Sequence, residues 1–133
     1  METLSTAIVT AAGSGTRMGS EIKKQYLPLG GIPIMIRTLQ TFFASEVIDN
    51  IIVTAPEDDI SFCEDLIRQY FEDSDKPWLV IAGGAERQDS VFAALQQCPP
   101  SVKYVFIHDA VRPFISEELL LELYEIVQRD KAV

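Results

Sequence analysis

Residues 7–18, AIVTAAGSGTRM, join a short apolar run to a glycine-rich turn, and this junction decides how the chain is built. The run Ala7–Thr10 has the composition of a buried β-strand. Small residues directly after it let the backbone approach a ligand closely, and glycine allows turns that point several N–H groups inward. Three cations follow, namely Arg17, Lys23 and Lys24. The combination predicts a site for a small anion, and a nucleotide triphosphate is the best candidate.

The composition narrows the class of protein. The 133 residues are 47% apolar and 23% charged, as in ordinary globular domains. No apolar run approaches the ~20 residues that span a bilayer, and residues 1–6 do not resemble a secretory signal. A net charge of −9 argues against nucleic acids and anionic membranes, because both attract basic patches. Cys63 and Cys98 form no CxxC motif and are interpreted as reduced, buried side chains. We therefore expect a cytoplasmic protein with a small-molecule ligand.

Short apolar runs alternate with amphipathic patterns along the whole chain. The runs predict strands buried on both faces of a parallel sheet: Thr6–Thr10, Asn50–Ala55, Trp78–Ala82 and Tyr104–Ile107. Helices are predicted over residues 34–43, 58–71, 87–97 and 117–129. In the last helix, Ser116 is the expected N-cap, and the expected buried residues are Leu119, Leu120, Leu123 and Val127. The alternation predicts an α/β fold, a Rossmann-like, mostly parallel sheet flanked by helices.

Two common phosphate-binding motifs do not fit the glycine-rich turn. A dinucleotide fingerprint needs a third glycine where Met18 stands, and an acidic residue about 20 positions further on, after the second strand. That strand is predicted to end too late, near Ala55. A P-loop needs Gly-Lys-Ser/Thr after four intervening residues, which the sequence lacks. A plain turn with an exposed basic loop would not require the small residues Ala11–Gly13, so ligand binding is favoured.

Three segments carry a resemblance to a known family. AAGSGTRM at 11–18 is followed by KKQYLPLGGIPI at 23–34, GGAERQDSV lies at 83–91, and HDAVRPF lies at 108–114. In this order and spacing they resemble the sugar-phosphate nucleotidyltransferases, most closely the cytidylyltransferases that act on 2-C-methyl-D-erythritol 4-phosphate. The resemblance covers essentially the whole chain. It implies a fold of the nucleotide-diphospho-sugar transferase type and transfer of CMP from CTP to that sugar-alcohol phosphate, with release of pyrophosphate, in isoprenoid precursor synthesis.

The resemblance also implies roles for individual residues. Arg17 and Lys24 would be catalytic, stabilising charge at the transition state, because an anionic phosphate nucleophile needs no strong base. The implied nucleotide-binding residues come from all three segments: Ala11, Ala12, Gly13, Ser14 and Gly15; Gly83, Gly84, Ala85 and Ser90; Asp109, Ala110 and Arg112. Gly84, Ala85 and Ser90 would surround the cytosine. Asp109 would hold the ribose or the Mg²⁺ that accompanies CTP.

Three further polar side chains are expected to have structural or peripheral roles. Lys23 matches no family position and is predicted to be solvated. Arg87 is predicted to brace the glycine turn, and His108 is predicted to be a structural residue because a lone histidine usually is.

The resemblance leaves the size of the protein and the acceptor open. Residues 1–133 would be the nucleotide-binding part of a single catalytic domain, because family members continue further and add sheet, a dimerisation arm and sugar-phosphate contacts. Residues 130–133 end where another strand is expected, which indicates a truncated fold. The resemblance then implies little turnover by this chain alone and a homodimer in the longer form. The alternatives are a ribitol 5-phosphate cytidylyltransferase and a non-catalytic nucleotide-binding module.

Overall fold

The structure, a computed structural model, describes residues 3–11 and 23–130. Its main elements in chain order are β1 (Ser5–Thr10), β2 (Pro28–Leu29), β3 (Ile32–Pro33), α1 (Ile34–Ala44), β4 (Asn50–Ala55), α2 (Ile60–Phe71), β5 (Trp78–Ala82), α3 (Arg87–Gln96), β6 (Tyr104–Asp109) and α4 (Glu117–Asp130). Two short 3₁₀ turns, Lys24–Tyr26 and Glu57–Asp59, precede β2 and α2.

The central sheet is parallel and has the strand order β5–β4–β1–β6. This confirms the predicted α/β fold, with all four long strands and all four helices near their predicted positions. Strand β6 runs two residues beyond its predicted end, so His108 and Asp109 belong to the strand. Because the strands are parallel, the residues that follow β1, β5 and β6 lie along one edge of the sheet.

One face of the sheet carries the larger core. Helices α1, α2 and α4 cover it, and the α1 residues Met35, Leu39 and Phe42 are fully buried against the sheet, as the predicted helical face requires. On the other face, α3 packs over Ile8 and Ile52 in the two central strands. Among the described residues, α3 is the helix on that face, and it leaves the edge strands partly uncovered.

The two edge strands, β5 and β6, are more exposed than predicted. Leu79 in β5 and Ile107 in β6 are 41% and 43% exposed, so these strands are not buried on both faces.

Helix α4 follows its prediction in part. Ser116 caps the helix as predicted, accepting a hydrogen bond from Leu119 N at 3.1 Å, and Leu120 is buried. Leu119, however, is 42% exposed, which contradicts its predicted burial, because it borders an open apolar groove between α4 and β6.

The two-strand hairpin β2–β3 was not predicted, although its turn signal is in the sequence. Gly30 and Gly31 have φ values of +64° and +83°, a conformation that glycine adopts easily and that suits a two-residue hairpin turn. Arg37 in α1 donates hydrogen bonds to the carbonyl oxygens of Leu29 and Gly30. The hairpin is thereby fastened to α1. Within the described parts of the chain, no helix has the length and apolar character needed to cross a membrane.

Candidate functional site

A small pocket lies at the carboxyl edge of the sheet, where residues distant in sequence come together. It has a volume of about 120 Å³ and is lined by residues 84–87, Ser90, Thr10 and Asp109. Thr10 and Asp109 are side-by-side partners at the ends of β1 and β6, so they point to the same face as α3. Four predicted nucleotide-binding residues, Gly84, Ala85, Ser90 and Asp109, therefore meet in one place.

The turn between β5 and α3 is fixed by its own residues. Gly84 N donates to Ser90 Oγ at 3.0 Å, and Ser90 is buried. Glu86 and Asp89 form a reciprocal capping box at the start of α3. A Cβ on Gly84 would lie only 2.2 Å from Asp89 Cβ, so this position requires glycine. Ser90 thus both lines the pocket and shapes it.

The turn after β6 holds Asp109 at the opposite side of the pocket. Asp109 Oδ1 accepts a hydrogen bond from Val111 N at 3.1 Å, and Oδ2 lies 3.9 Å from Nε of the exposed Arg112. His108 Nε2 lies within hydrogen-bonding distance of Arg112 O, at 2.8 Å, and its ring packs on Phe42. His108 therefore has the structural position expected of it, while the half-exposed Asp109 carboxylate faces the pocket.

Two of the predicted nucleotide-binding alanines lie in the larger core and do not line the pocket. Ala110 is fully buried, its N–H donates to Thr10 O, and its carbonyl accepts from Thr38 Oγ1 at 2.7 Å. Ala11 is 4% exposed, and its carbonyl accepts from Gln25 Nε2 at 2.8 Å. Their side chains are buried among the core residues next to the ends of β1 and β6. Direct contact with a nucleotide stays a prediction for both.

The turn Lys24–Tyr26 places one predicted catalytic residue at the surface. Lys24 is exposed, and Gln25, directly after it, is buried. Lys23 was predicted to be solvated, which is wrong: its Nζ pairs with Asp59 Oδ2 at 2.8 Å. The fold brings α2 against this turn, and nothing in the sequence around Lys23 indicates that contact.

Tyr26 extends this ion pair into a small, partly buried network. Its hydroxyl donates to Asp59 Oδ2 at 2.8 Å and lies 3.3 Å from Cys63 Sγ. Burial raises the pKa of Tyr26 well above its ordinary value, and it also raises the pKa of the Cys63 thiol. Both groups are therefore neutral hydrogen-bonding partners near neutral pH.

The remaining predicted site residues lie outside the described residues, namely Ala12, Gly13, Ser14, Gly15 and Arg17. Gly83 is described; its N–H donates to Ala55 O at 2.9 Å, which joins the turn to the sheet. Arg87 is exposed and lines the pocket. In the described part of the chain, no three metal-binding side chains cluster together. A lone carboxylate such as Asp109 still suits Mg²⁺, which keeps several waters and takes its other ligands from substrate phosphates.

Sequence reasoning missed several residues that shape the site. Thr10 and Glu86 line the pocket, and their only sequence signal is their place beside the two glycine turns. Gln25 holds the Ala11 carbonyl, Thr38 holds the Ala110 carbonyl, and Asp59 holds Lys23, all through contacts that the sequence does not reveal.

An open parallel sheet with a glycine turn and a carboxylate at its carboxyl edge defines the class of nucleotide-binding α/β proteins. Within that class, residues 5–133 match the family model of 2-C-methyl-D-erythritol 4-phosphate cytidylyltransferase, IspD. The chain belongs to this family.

Individual relatives agree with the family model. The chain is 44% identical over 117 residues to the 2-C-methyl-D-erythritol 4-phosphate cytidylyltransferase of Geobacter metallireducens, covering 86% of this chain and 50% of the relative. It is 40% identical over 127 residues to that of Clostridium beijerinckii, covering 95% and 54%. The crystal structure of 4-diphosphocytidyl-2C-methyl-D-erythritol synthase from Anaerococcus prevotii superposes with a TM-score of 0.79 at 34% identity, over 96% of this chain and 52% of that one. The chain thus spans about half the length of these relatives.

Proposed function

We propose that the whole protein containing this chain transfers CMP from CTP to 2-C-methyl-D-erythritol 4-phosphate and releases pyrophosphate, a step in isoprenoid precursor synthesis. The observation that carries the proposal is the pocket at the carboxyl edge, where the 84–90 turn, Thr10 and Asp109 meet. Membership of the family supports the reaction type and the acceptor. In this proposal the described residues include those that contact the base and the ribose of CTP.

The base is proposed to lie against the turn between β5 and α3. Gly84 and Ala85 present backbone with little side-chain bulk, so a flat ring can come close to their polar groups. Because Ser90 and the capping box hold this turn, its N–H and carbonyl groups have fixed directions. Fixed polar groups discriminate between bases, since a mismatched base would leave them unpaired.

The triphosphate is proposed to lie between this pocket and the basic residues. A phosphate oxygen of the acceptor attacks the α-phosphorus of CTP, the bond from that phosphorus to the bridging oxygen breaks, and pyrophosphate leaves. The nucleophile is already anionic, so the protein contributes orientation and positive charge rather than a base. Lys24, exposed at its turn, and Arg17 are the proposed sources of that charge.

Asp109 is the proposed contact to the ribose or to Mg²⁺. When bound, Mg²⁺ would neutralise part of the phosphate charge. The carboxylate is held by Val111 N–H and balanced by Arg112, so it is oriented toward the pocket before any ligand arrives. Such preorganisation lowers the cost of binding.

The acceptor site and the homodimer are proposed to involve the additional polypeptide of the longer relatives. A groove of about 840 Å³ runs along β6 and α4, and it is lined by apolar residues that include Phe106, Leu119 and Leu123. Phe114 beside it is 91% exposed. Exposed apolar side chains gathered in one groove are typical of an interaction face.

We also propose a cytoplasmic location, which is supported by Cys63 and Cys98, because neither cysteine forms a disulfide.

The test is pyrophosphate release by the full-length enzyme, with CTP and either 2-C-methyl-D-erythritol 4-phosphate or ribitol 5-phosphate. We expect turnover with the first acceptor; turnover only with ribitol 5-phosphate, or with neither, would contradict the proposal. Arg17→Ala should lower kcat by at least about 100-fold while changing CTP affinity much less, as expected for a charge that acts at the transition state. Arg129→Ala, at an exposed arginine in α4, is the matched control and should retain wild-type turnover.

A further inference from the structure

The turn that follows the glycine-rich segment has three anchored side chains and one exposed side chain. Asp59 accepts hydrogen bonds from the side chains of Lys23 and Tyr26, and the Ala11 carbonyl accepts one from Gln25. Lys24 is exposed. Its backbone hydrogen bonds, from Tyr26 N to Lys23 O and from Leu27 N to Lys24 O, close a 3₁₀ turn of only three residues. So short a turn does not hold its shape in isolation, so its geometry depends on the three side-chain anchors.

The Asp59 carboxylate has different hydrogen-bond partners from those of most aspartates at the start of a helix. It is the N-cap residue of α2, where an aspartate ordinarily accepts a hydrogen bond from the helix backbone. Here the carboxylate makes no capping bond to the described backbone of α2, and Oδ2 accepts from Lys23 Nζ and from Tyr26 OH, each at 2.8 Å. Because Tyr26 donates its only hydroxyl proton to Asp59, the Cys63 thiol must donate to the Tyr26 oxygen. We call these four residues the Asp59 cluster.

The ion pair of the Asp59 cluster is sheltered from solvent. The side chains of Lys23 and Asp59 are 23% and 19% exposed, whereas those of Arg68 and Asp65, a pair within α2, are 61% and 78% exposed. Solvent and salt screen a sheltered pair much less than an exposed one, so the first pair can hold a fixed geometry.

We propose that Asp59, acting through Lys23 and Tyr26, is a positioning residue that fixes Lys24 for contact with the triphosphate. This inference rests on the proposed function, in which Lys24 stabilises charge on the phosphates. Lys24 lies between Lys23, which is bonded to α2, and Gln25, which is bonded to the end of β1. A displacement of about 1 Å at a catalytic group can lower a rate about 100-fold, so Asp59 affects the reaction without touching substrate.

The experiment compares two isosteric changes in the full-length enzyme. Asp59→Asn removes the charge at nearly constant shape, and Asp65→Asn makes the same change in the exposed pair of the same helix. We expect Asp59→Asn to lower kcat at least about tenfold with less than about a threefold change in the KM for CTP. Asp65→Asn should retain the wild-type kcat.

A double-variant comparison separates positioning from a general structural effect. Lys24→Met should be slow, and adding Asp59→Asn should make it no slower, because no ammonium group then remains to be positioned. If Asp59→Asn does not fold, Tyr26→Phe replaces it; losing one hydrogen bond should lower kcat about fivefold, and again only when Lys24 is present.

Three results would overturn the proposal. The first is a wild-type kcat in folded Asp59→Asn and Tyr26→Phe. The second is an equal factor of loss with and without Lys24. The third is a loss explained by the folded fraction, measured by circular dichroism under assay conditions. A wild-type kcat in Lys24→Met would instead remove Lys24 from the mechanism, and this result would contradict the proposed function as well.

Discussion

The turn at residues 83–90 and the turn at residues 23–26 both belong to the proposed CTP site, but they are stabilised in different ways. In the first, the side chains of Asp89 and Ser90 bond to backbone groups three to six residues away. In the second, the partners of Gln25, Tyr26 and Lys23 are 14, 33 and 36 residues away. Distant contacts require closure of a long loop, which costs conformational entropy. The first turn can therefore form together with α3, whereas the second needs β1 and α2 to be in place.

The largest expected effect comes from breaking the local turn. Gly84→Ala would bring its Cβ to 2.2 Å from Asp89 Cβ, and Asp89 belongs to the first turn of α3, so the backbone must move. We expect a loss of about 1–3 kcal/mol in the free energy of unfolding, as for other overpacked sites. CTP affinity should fall at least about tenfold because the displaced turn is the proposed base contact. Chemical denaturation and calorimetric titration measure the two effects.

The control for this substitution is Gln88→Ala, at an exposed position of the same helix turn. It should change the stability by less than about 0.5 kcal/mol and leave CTP affinity unchanged. Wild-type affinity in Gly84→Ala would show that the turn tolerates the displacement, and the contrast with the 23–26 turn would lose its basis.

A smaller effect is expected from breaking the distant turn at Gln25. Gln25→Met keeps the length of the side chain but leaves the buried Ala11 carbonyl without its hydrogen bond. The expected loss in the free energy of unfolding is about 1–2 kcal/mol. Gln40→Met makes the same substitution at an exposed site in α1 and should be nearly neutral. Equal denaturation midpoints for the two variants would mean that the bond to Ala11 contributes nothing measurable.

The smallest expected effect is a dependence of stability on alkaline pH. Burial raises the pKa of Cys63 above its ordinary 9.0 and the pKa of Tyr26 above its ordinary 10.0. The folded state thus keeps both protons when the unfolded state has lost them. Their contribution to stability is complete below about pH 8, where the unfolded state also keeps both protons, and it declines as the pH rises further. The melting temperature should therefore fall between about pH 8 and pH 10.5.

Substitutions in the Asp59 cluster isolate this dependence. Cys63→Ala and Tyr26→Phe each remove one titrating group. The decrease in melting temperature over that pH range should therefore be smaller in each variant than in the wild type. Burial lowers the pKa of Lys76, which acts in the opposite direction, but Lys76 is present in all three proteins and cancels from the comparison. Identical pH profiles in thermal unfolding would contradict this account.

Much of the fold was predictable because its signals are local. The four β-branched runs and the intervening helical patterns became the parallel sheet and its helices nearly residue by residue. The burial of the edge strands was not predictable in the same way. Ile107 has the same side chain as the fully buried Ile8, its partner in the adjacent strand, and only their places in the strand order make one exposed.

The candidate site likewise contains residues that the sequence predicted and residues that it did not. Through their resemblance to the family, the segments GGAERQDSV and HDAVRPF predicted Gly84, Ser90 and Asp109 as nucleotide-binding residues, and the structure brings the three into one pocket. The anchors Thr38, Gln25 and Asp59 had no such signal. Asp59 in particular follows Glu57 and Asp58 and has the appearance of one more acid at a helix start.

By itself, the sequence determined the α/β alternation and the glycine turn before α3, because each depends on residues a few positions apart. Only the tertiary structure decided that Lys23 is paired rather than solvated, and that Lys24 alone in its turn remains exposed. The physical reason is the distance along the chain. Asp59 lies 36 residues from Lys23 along the chain, and the packing of β1, α1 and β4 places the start of α2 beside that turn.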